Sequence, residues 1–291
     1  MSTLDPQALL DSLIRIRSVS GEEDAIGAAI FELAQEAGLA VERAGRNLVL
    51  KLGEGNGKRL LLNSHLDTVP PATGWTTDPF VPALEDGRIT GLGANDAKGC
   101  VAAMLAAFSR LSGSGFRPDG EIVLALTVEE ETGGGAGLEK LLPELEPLSA
   151  AVIGEPTDLE ICCAQKGLLI LKVEAEGLAR HAAHVQAIEG PNAVVEAARG
   201  ILALEGWSPG PDHPLLGPLT CAVTTIEGGS RRNVIPDACT FFLDIRTHPD
   251  CSTAEIAAAV EARTGAKVSV FSDRMQPFAT DTDEAITRAA H

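Results

Sequence analysis

The sequence predicts an α/β layer domain followed by a smaller module of β-α-β-β-α-β order, and three observations carry that expectation. Apolar, β-branched runs recur through the first half and alternate with amphipathic or Ala-rich segments, the rhythm of an α/β sheet. Several of these runs stop on His or carboxylate residues, at the strand ends where α/β sheets gather ligands. Beyond Gln165 the order becomes strand, helix, strand, strand, helix, strand, which is the ferredoxin-like split unit. At 291 residues and 45% hydrophobic content, the chain exceeds the usual single-domain size and has apolar material for two cores.

Asp5 before Pro6 is an N-cap and first-turn pair, and Leu9, Leu10, Leu13 and Ile14 form the apolar stripe of a first helix. Ser20 with Glu23 three residues on reads as a capping box for a second helix that Gly38 ends. Residues 47–52 and 60–63 read as strands joined as a hairpin by the turn GEGNGK. Residues 70–91 form a long loop with a turn at Glu85, Asp86 and Gly87, and loops of that length tend to be functional. The Ala-rich segment 99–111 is a helix suited to lying on a sheet. In the second half, strands are expected at 168–174, 220–226, 240–246 and 268–271, with helices at 192–204 and 253–263.

A net charge of −18 argues against nucleic acid or an anionic membrane as partner. With 3% aromatic residues and no Tyr, packing must rest on Leu, Ile, Val and Ala. The six cysteines are scattered without a CxxC pair and read as reduced and mostly buried. The N-terminus has no signal-peptide pattern and no segment reaches the length of a membrane span, so a cytoplasmic protein is expected.

Four element ends carry the candidate chemistry. Residues 122–135, IVLALTVEEETGGG, are a buried strand ending abruptly in Glu129, Glu130 and Glu131. Three adjacent like charges repel, and a cation held among them would relieve this. Residues 59–70, RLLLNSHLDTVP, deliver His65 and Asp67 to the same side of an extended segment, so that one can ligate while the other acts nearby. Residues 150–156, AAVIGEP, end in Glu155, and the turn GLGANDAKG places Asp96 just before a helix.

The motifs SHLDTVP, GLGANDAKG, TVEEETGG, GEPT and GGSRRNVIPD…DIR resemble, in the same order, those of the zinc-dependent amidohydrolases that include acetylornithine deacetylase, succinyl-diaminopimelate desuccinylase, aminoacylase and glutamate carboxypeptidase. The resemblance implies a zinc-exopeptidase-like catalytic domain with a mixed sheet over residues 1–164, an inserted ferredoxin-like dimerisation domain over 165–274, and a return towards the catalytic domain over 275–291. It implies two Zn²⁺, with Co²⁺ as a possible substitute. His65 and Glu155 would ligate the first metal, Asp96 would bridge, and Glu131 would ligate the second. Glu130 would be the general base that takes a proton from water and returns it to the leaving amine. A slip of one residue would exchange base and ligand, because Glu129 stands where the family often carries Asp.

Asp67 would hold the His65 ring through its other nitrogen, or else be a strand-end turn residue. In GLARHAAH, His181 matches the histidine that reaches the partner subunit's active site to meet a developing oxyanion, with His184 as competitor. Asn233 and Arg246 match polar contacts to substrate, and Arg246 could instead pair with Asp244 or Asp250. Within the family, GLGANDAKG, AQKG and RHAAH look most like the arginine-biosynthesis deacetylases acting on N-acetylornithine. Desuccinylase and dipeptidase activities are the alternatives. The family's C-terminal histidine, in a Gly-Pro-Gly stretch, has no counterpart, and His291 lacks its neighbours. The chain is therefore expected to be the N-terminal portion of a longer enzyme, the rival reading being a non-catalytic dimerising fragment.

Overall fold

The computed structural model describes residues 3–54 and 57–290, and the chain divides into two compact units, Met1–Glu160 and Ile161–His291. Residues 55 and 56 of the GEGNGK turn, and His291, lie outside the described residues.

In the first unit, Asp5 caps α1 (Pro6–Ile14) by accepting the Ala8 amide at 2.8 Å, and Pro6 fills the first turn, where no N–H is needed. Helix α2 (Asp24–Glu36) gives way at Gly38, whose φ of 75° suits a residue without a Cβ. The expected capping box does not form. Ser20 donates to Asp67 at 2.7 Å, and Glu23 accepts the Gly21 and Glu129 amides at 2.9 and 3.1 Å. Glu23 is 1% exposed, and a carboxylate so buried is stable only where donors and an opposite charge converge on it. Its partner is Arg46.

Strands β1 (Val41–Ala44), β2 (Asn47–Gly53) and β3 (Lys58–His65) follow. A short hairpin, β4 (Ala83–Glu85) and β5 (Arg88–Thr90), interrupts the segment expected to be one long loop. Then come α3 (Lys98–Gly113), β6 (Gly120–Thr127), α4 (Leu138–Leu145) and β7 (Ala150–Ile153). The five-stranded sheet has the order β1-β2-β6-β3-β7, with β3 parallel to β6 and β7. The expected hairpin between β2 and β3 is therefore wrong, because β6 lies between them, antiparallel to β2. β6 is the most continuously apolar strand of the sheet, and only a central place buries both of its faces. The hairpin actually made is β1–β2, across Gly45 and Arg46.

Alternation along the strands divides two cores. Leu48, Leu50, Leu124 and Leu126 face α1, α2 and α3 with Ile26, Ile30, Leu105 and Phe108. Val49, Leu61, Val123 and Ala125 face the opposite side, under Leu141 and Leu145 of α4. The unit is a three-layer α/β/α arrangement, and among the described residues Phe108 is the one fully buried aromatic side chain of either cluster, with Phe31 partly buried against the first.

In the second unit, β8 (Ala164–Gln165), β9 (Gly167–Glu176), β10 (Arg180–His181), α5 (Ala193–Leu204), β11 (Thr220–Gly228), β12 (Val234–Ile235), β13 (Ala238–Thr247), α6 (Thr253–Thr264), β14 (Lys267–Met275), β15 (Phe278–Ala279) and α7 (Ala285–Ala290) follow in order. Four of the strands make an antiparallel sheet, β11-β13-β9-β14. Leu169, Leu171 and Val173 with Phe241, Leu243 and Ile245 pack against Ala197 and Leu204 of α5 and Ile256 and Val260 of α6. Two short pairs, β10–β12 and β8–β15, and an isolated bridge between His213 and Gly217 accompany it.

The cysteines are free as expected, but only Cys239 is buried and Cys162 is exposed. No helix among the described residues is long and apolar enough to cross a membrane.

Because Phe108 anchors α3 to the central strands at 1% exposure, Phe108→Ala is expected to remove about 3–5 kcal/mol of stability through lost burial and the cavity left behind. Urea unfolding of the two proteins measures it.

Candidate metal centre

The carboxyl ends of three adjacent parallel strands build the site. His65 is the last residue of β3, Glu130 and Glu131 follow β6 in a 3-10 turn, and Glu155 follows β7. Asp96 comes from the glycine-rich turn that opens α3. Gly93 in that turn has φ 75°, and a Cβ there would stand 2.6 Å from Thr68. The parallel register of β3 and β6 aligns His65 with Thr127, so the two strands finish level and the glutamates emerge beside the imidazole.

His65 Nε2 lies 3.0 Å from Asp96 Oδ1 and 3.8 Å from Glu155 Oε2. Its Nδ1 lies 3.0 Å from the Asp67 carbonyl oxygen and 3.3 Å from Asp67 Oδ1. Asp67 is fully buried and accepts from Ser20 Oγ at 2.7 Å and from the Glu130 and Glu131 amides at 3.1 Å each. Among the described residues, His65, Asp96 and Glu131 offer ligand atoms that all lie within 4.8 Å of one another.

The electrostatics follow from this crowding. Burial works against a charge on His65, but the hydrogen bond to Asp67 and the Glu155, Asp67 and Glu130 carboxylates outweigh it and raise its pKa to about 9. Burial likewise opposes ionisation of Asp67, yet the donors from His65, Ser20 and the two glutamate amides bring it down to about 2. Burial and the neighbouring carboxylates Glu130, Asp96 and Glu131 push Glu155 up to about 6, against the pull of His65. Glu131 is raised as well, by burial and Asp96. One imidazole amid repelling carboxylates is a donor set suited to a divalent ion such as zinc, whose charge would replace the proton on His65.

The first of the three glutamates is engaged elsewhere. Glu129 sits in the left-handed region at φ 60° and ψ 23°, and its carboxylate pairs with Arg46, which also binds Glu23. Asn47, beside Arg46 in the β1–β2 turn, accepts the Val128 amide at 3.1 Å and donates to the Ala136 carbonyl at 2.8 Å. Sequence reading missed Glu23, Arg46 and Asn47. The available signal was a lone Arg-Asn pair in a turn, and nothing local ties it to a loop some eighty residues on.

The remaining candidates lie in the second unit. The His181 Nδ1 accepts the Ala183 amide at 3.1 Å, and the ring lies 5.8 Å from that of His184. Asn233 is exposed, and its carbonyl accepts the Ala182 amide at 2.9 Å, which brings it beside His181. Arg246 donates from Nε and Nη2 to Asp244 at 2.9 and 3.3 Å, the ion pair that was its alternative reading.

Residues 61–291 match the model of peptidase family M20/M25/M40. A succinyl-diaminopimelate desuccinylase of Cereibacter sphaeroides is 32% identical, over 92% of this chain and 76% of its own length. Succinyl-diaminopimelate desuccinylase 2 of a Ruegeria species is 30% identical over 92% and 71%. These relatives are desuccinylases, not the acetylornithine deacetylases that the motifs resemble most. Among solved structures, an aminopeptidase of Bacillus cereus superposes with a TM-score of 0.73 at 22% identity, covering 99% of this chain and 81% of that one. A dinuclear metal binding peptidase of Bacillus subtilis gives 0.68 at 15% identity, covering 95% and 75%. At these identities the structures establish a common fold.

A His65 held at about 9 carries a proton at neutral pH, which a metal must displace to reach Nε2. Metal uptake at pH 7 should therefore release about one proton, and affinity should rise by up to about tenfold per pH unit until that value is reached. Calorimetry in buffers of differing protonation enthalpy reads the release, and an affinity flat with pH would contradict it.

Proposed function

We propose that this chain, which belongs to peptidase family M20/M25/M40, hydrolyses the amide bond of an N-acyl amino acid, with N-succinyl-diaminopimelate as its foremost substrate. Membership makes it a metal-dependent hydrolase. The observation that carries the reading further is the convergence of His65, Asp96 and Glu131 at the strand ends, with Glu155 beside them. The desuccinylases at 30–32% identity support the succinyl group. N-acetylornithine is the second reading, favoured by the stretches GLGANDAKG and RHAAH.

In this reading His65 and Glu155 would hold one zinc ion and Glu131 a second, with Asp96 shared by both, and cobalt could substitute. When bound, the metals supply Lewis acidity to the amide carbonyl and to the attacking water. Asp67 keeps the His65 ring oriented through Nδ1, so that Nε2 faces the ligand cluster. Glu130, exposed beside the cluster and anchored through its amide on Asp67, takes the water's proton on its carboxylate and returns it to the leaving nitrogen.

The second unit, read as residues 165–274, serves as a ferredoxin-like dimerisation domain. Its strand order β11-β13-β9-β14, with β11 and β14 each paired on one side only among the described residues, supports a two-fold contact between copies. Because the His181 Nδ1 accepts a backbone amide, its N–H resides on Nε2 and is free to donate to an oxyanion in the partner's site. Asn233 and the remaining N–H groups of Arg246 would hold the substrate's polar groups, Arg246 being already oriented by Asp244.

Release of succinate, acetate or amino acid from N-succinyl-diaminopimelate, N-acetylornithine and dipeptides, with zinc or cobalt supplied, tests the substrate. Turnover on none of them, with metal and dimer retained, would favour a non-catalytic dimerising protein. Glu130→Gln is expected to keep metal and fold while losing about 10²–10⁴-fold in turnover, whereas Glu131→Gln loses metal. An exchange of those phenotypes would shift the base and ligand by one residue. A monomer by light scattering at micromolar concentration would remove the dimer.

A further inference from the structure

Three consecutive glutamates, Glu129, Glu130 and Glu131, emerge at the end of β6, and each is long enough for its carboxylate to compete for a cation. Sequence alone leaves their register degenerate. A contact made on the far side of the turn distinguishes the first of them. The Arg46 guanidinium pairs with Glu129 through one terminal nitrogen and with buried Glu23 through the other. Glu23, whose side chain is 0% exposed, also accepts the Glu129 amide at 3.1 Å, so both ends of Glu129 are held by the same ion pair. Directly after it, the Glu130 and Glu131 amides turn onto Asp67.

We propose that Arg46, seated on Glu23, is a positioning residue that sets the register of the glutamate turn, withdrawing Glu129 from the metal cluster so that Glu131 ligates and Glu130 remains the base. The left-handed backbone at Glu129 supports this assignment. A non-glycine residue at φ 60° is unfavourable and persists only where its surroundings over-determine it. Here Arg46, the Glu23 carboxylate and the bond from the Gly134 amide to the Glu129 carbonyl at 2.6 Å provide that determination. Without the guanidinium, Glu129 is an unpaired carboxylate one residue from the base and two from the ligand. It could then enter the cluster in place of either neighbour, and Glu23 would be a buried charge without its cation.

The inference rests on the metal-centre reading above, and its test is separable from the substrate question because one readout is metal affinity. Arg46→Met removes the charge and keeps much of the stem; Arg46→Met/Glu129→Gln also removes the competing carboxylate. In Arg46→Met, metal affinity by calorimetry and kcat on the substrate found active should each fall by about 10–100-fold, the range seen when groups supporting a metal ligand are lost, with KM little changed. The double variant should recover most of both losses, although Glu23 stays unpaired in each, so the shared Glu23 defect cannot produce the recovery. Thermal unfolding of both variants confirms that folded protein is being compared. Wild-type affinity and kcat in Arg46→Met, or a double variant no better than the single one, would overturn the proposal. If wild type turns over none of the N-acyl substrates yet the affinities follow this pattern, the register assignment stands and the substrate reading fails.

Discussion

The first unit depends on a single buried carboxylate. Asp67 takes hydrogen bonds from Ser20, the His65 ring and the Glu130 and Glu131 amides. A carboxylate removed from water is stable only when donors replace its hydration, and here the donors come from three separate stretches of chain. The same bonds that solvate Asp67 dock the approach to α2, orient the imidazole and pin the 3-10 turn after β6. The Lys98 ammonium plays a comparable part nearby. It is buried in the first turn of α3, donates to the Leu13 and Ile16 carbonyls at 3.0 and 2.8 Å, and so ties the helix following Asp96 to the end of α1. Burial alone lowers its pKa to about 8.

Much of this was legible because it is written locally. An apolar run that stops on a carboxylate marks a strand end whatever it pairs with, so the ends of β3, β6 and β7 could be found from the sequence. The six elements of the second sheet and its helices fall within a few residues of their expected bounds, for their periodicity is strong and their caps are local. Pairing was not local. The segments of β2 and β3 look like a hairpin because the turn between them is rich in glycine, but turn composition says nothing about a third strand arriving later. Ser20 and Glu23 have the spacing of a capping box, and both are drawn away by tertiary partners, Asp67 and Arg46. The ligand cluster was visible as residue types at strand ends, and so was Asp67 beside it, whereas Arg46 in the β1–β2 turn and Asn47 at the start of β2, which contact Glu129 and Val128, have no local pattern of their own.

The two units treat their charge differently. The first gathers ionic groups at the sheet's carboxyl edge and in little-exposed pairs such as Arg59 with Glu121 at 2.6 Å, and sets its exposed pairs, Arg15 with Asp11, Arg17 with Glu22 and Lys51 with Glu42, apart from them. The second carries charge across the open face of its sheet, where Lys172 pairs with Glu174 and Arg246 with Asp244 beside an edge-to-face contact between Phe242 and Phe271. Exposed pairs of this kind add little stability and leave their groups available to a ligand or another surface.

The central placement of β6 governs the order in which the protein can assemble. Strands β2 and β3 are completed by residue 65, but the strand that belongs between them ends at residue 127, after the β4–β5 hairpin and the whole of α3. During synthesis at about 5–20 residues per second, the neighbouring edges of β2 and β3 therefore stand without their partner for several seconds. The last strand to enter the middle of the sheet is also the one that leads into the three glutamates, so β1, β2 and β3 all precede them in synthesis. The residues that converge at the sheet's carboxyl edge are thereby brought together late, after β6 has been inserted and β7, which leads to Glu155, has been added at its side.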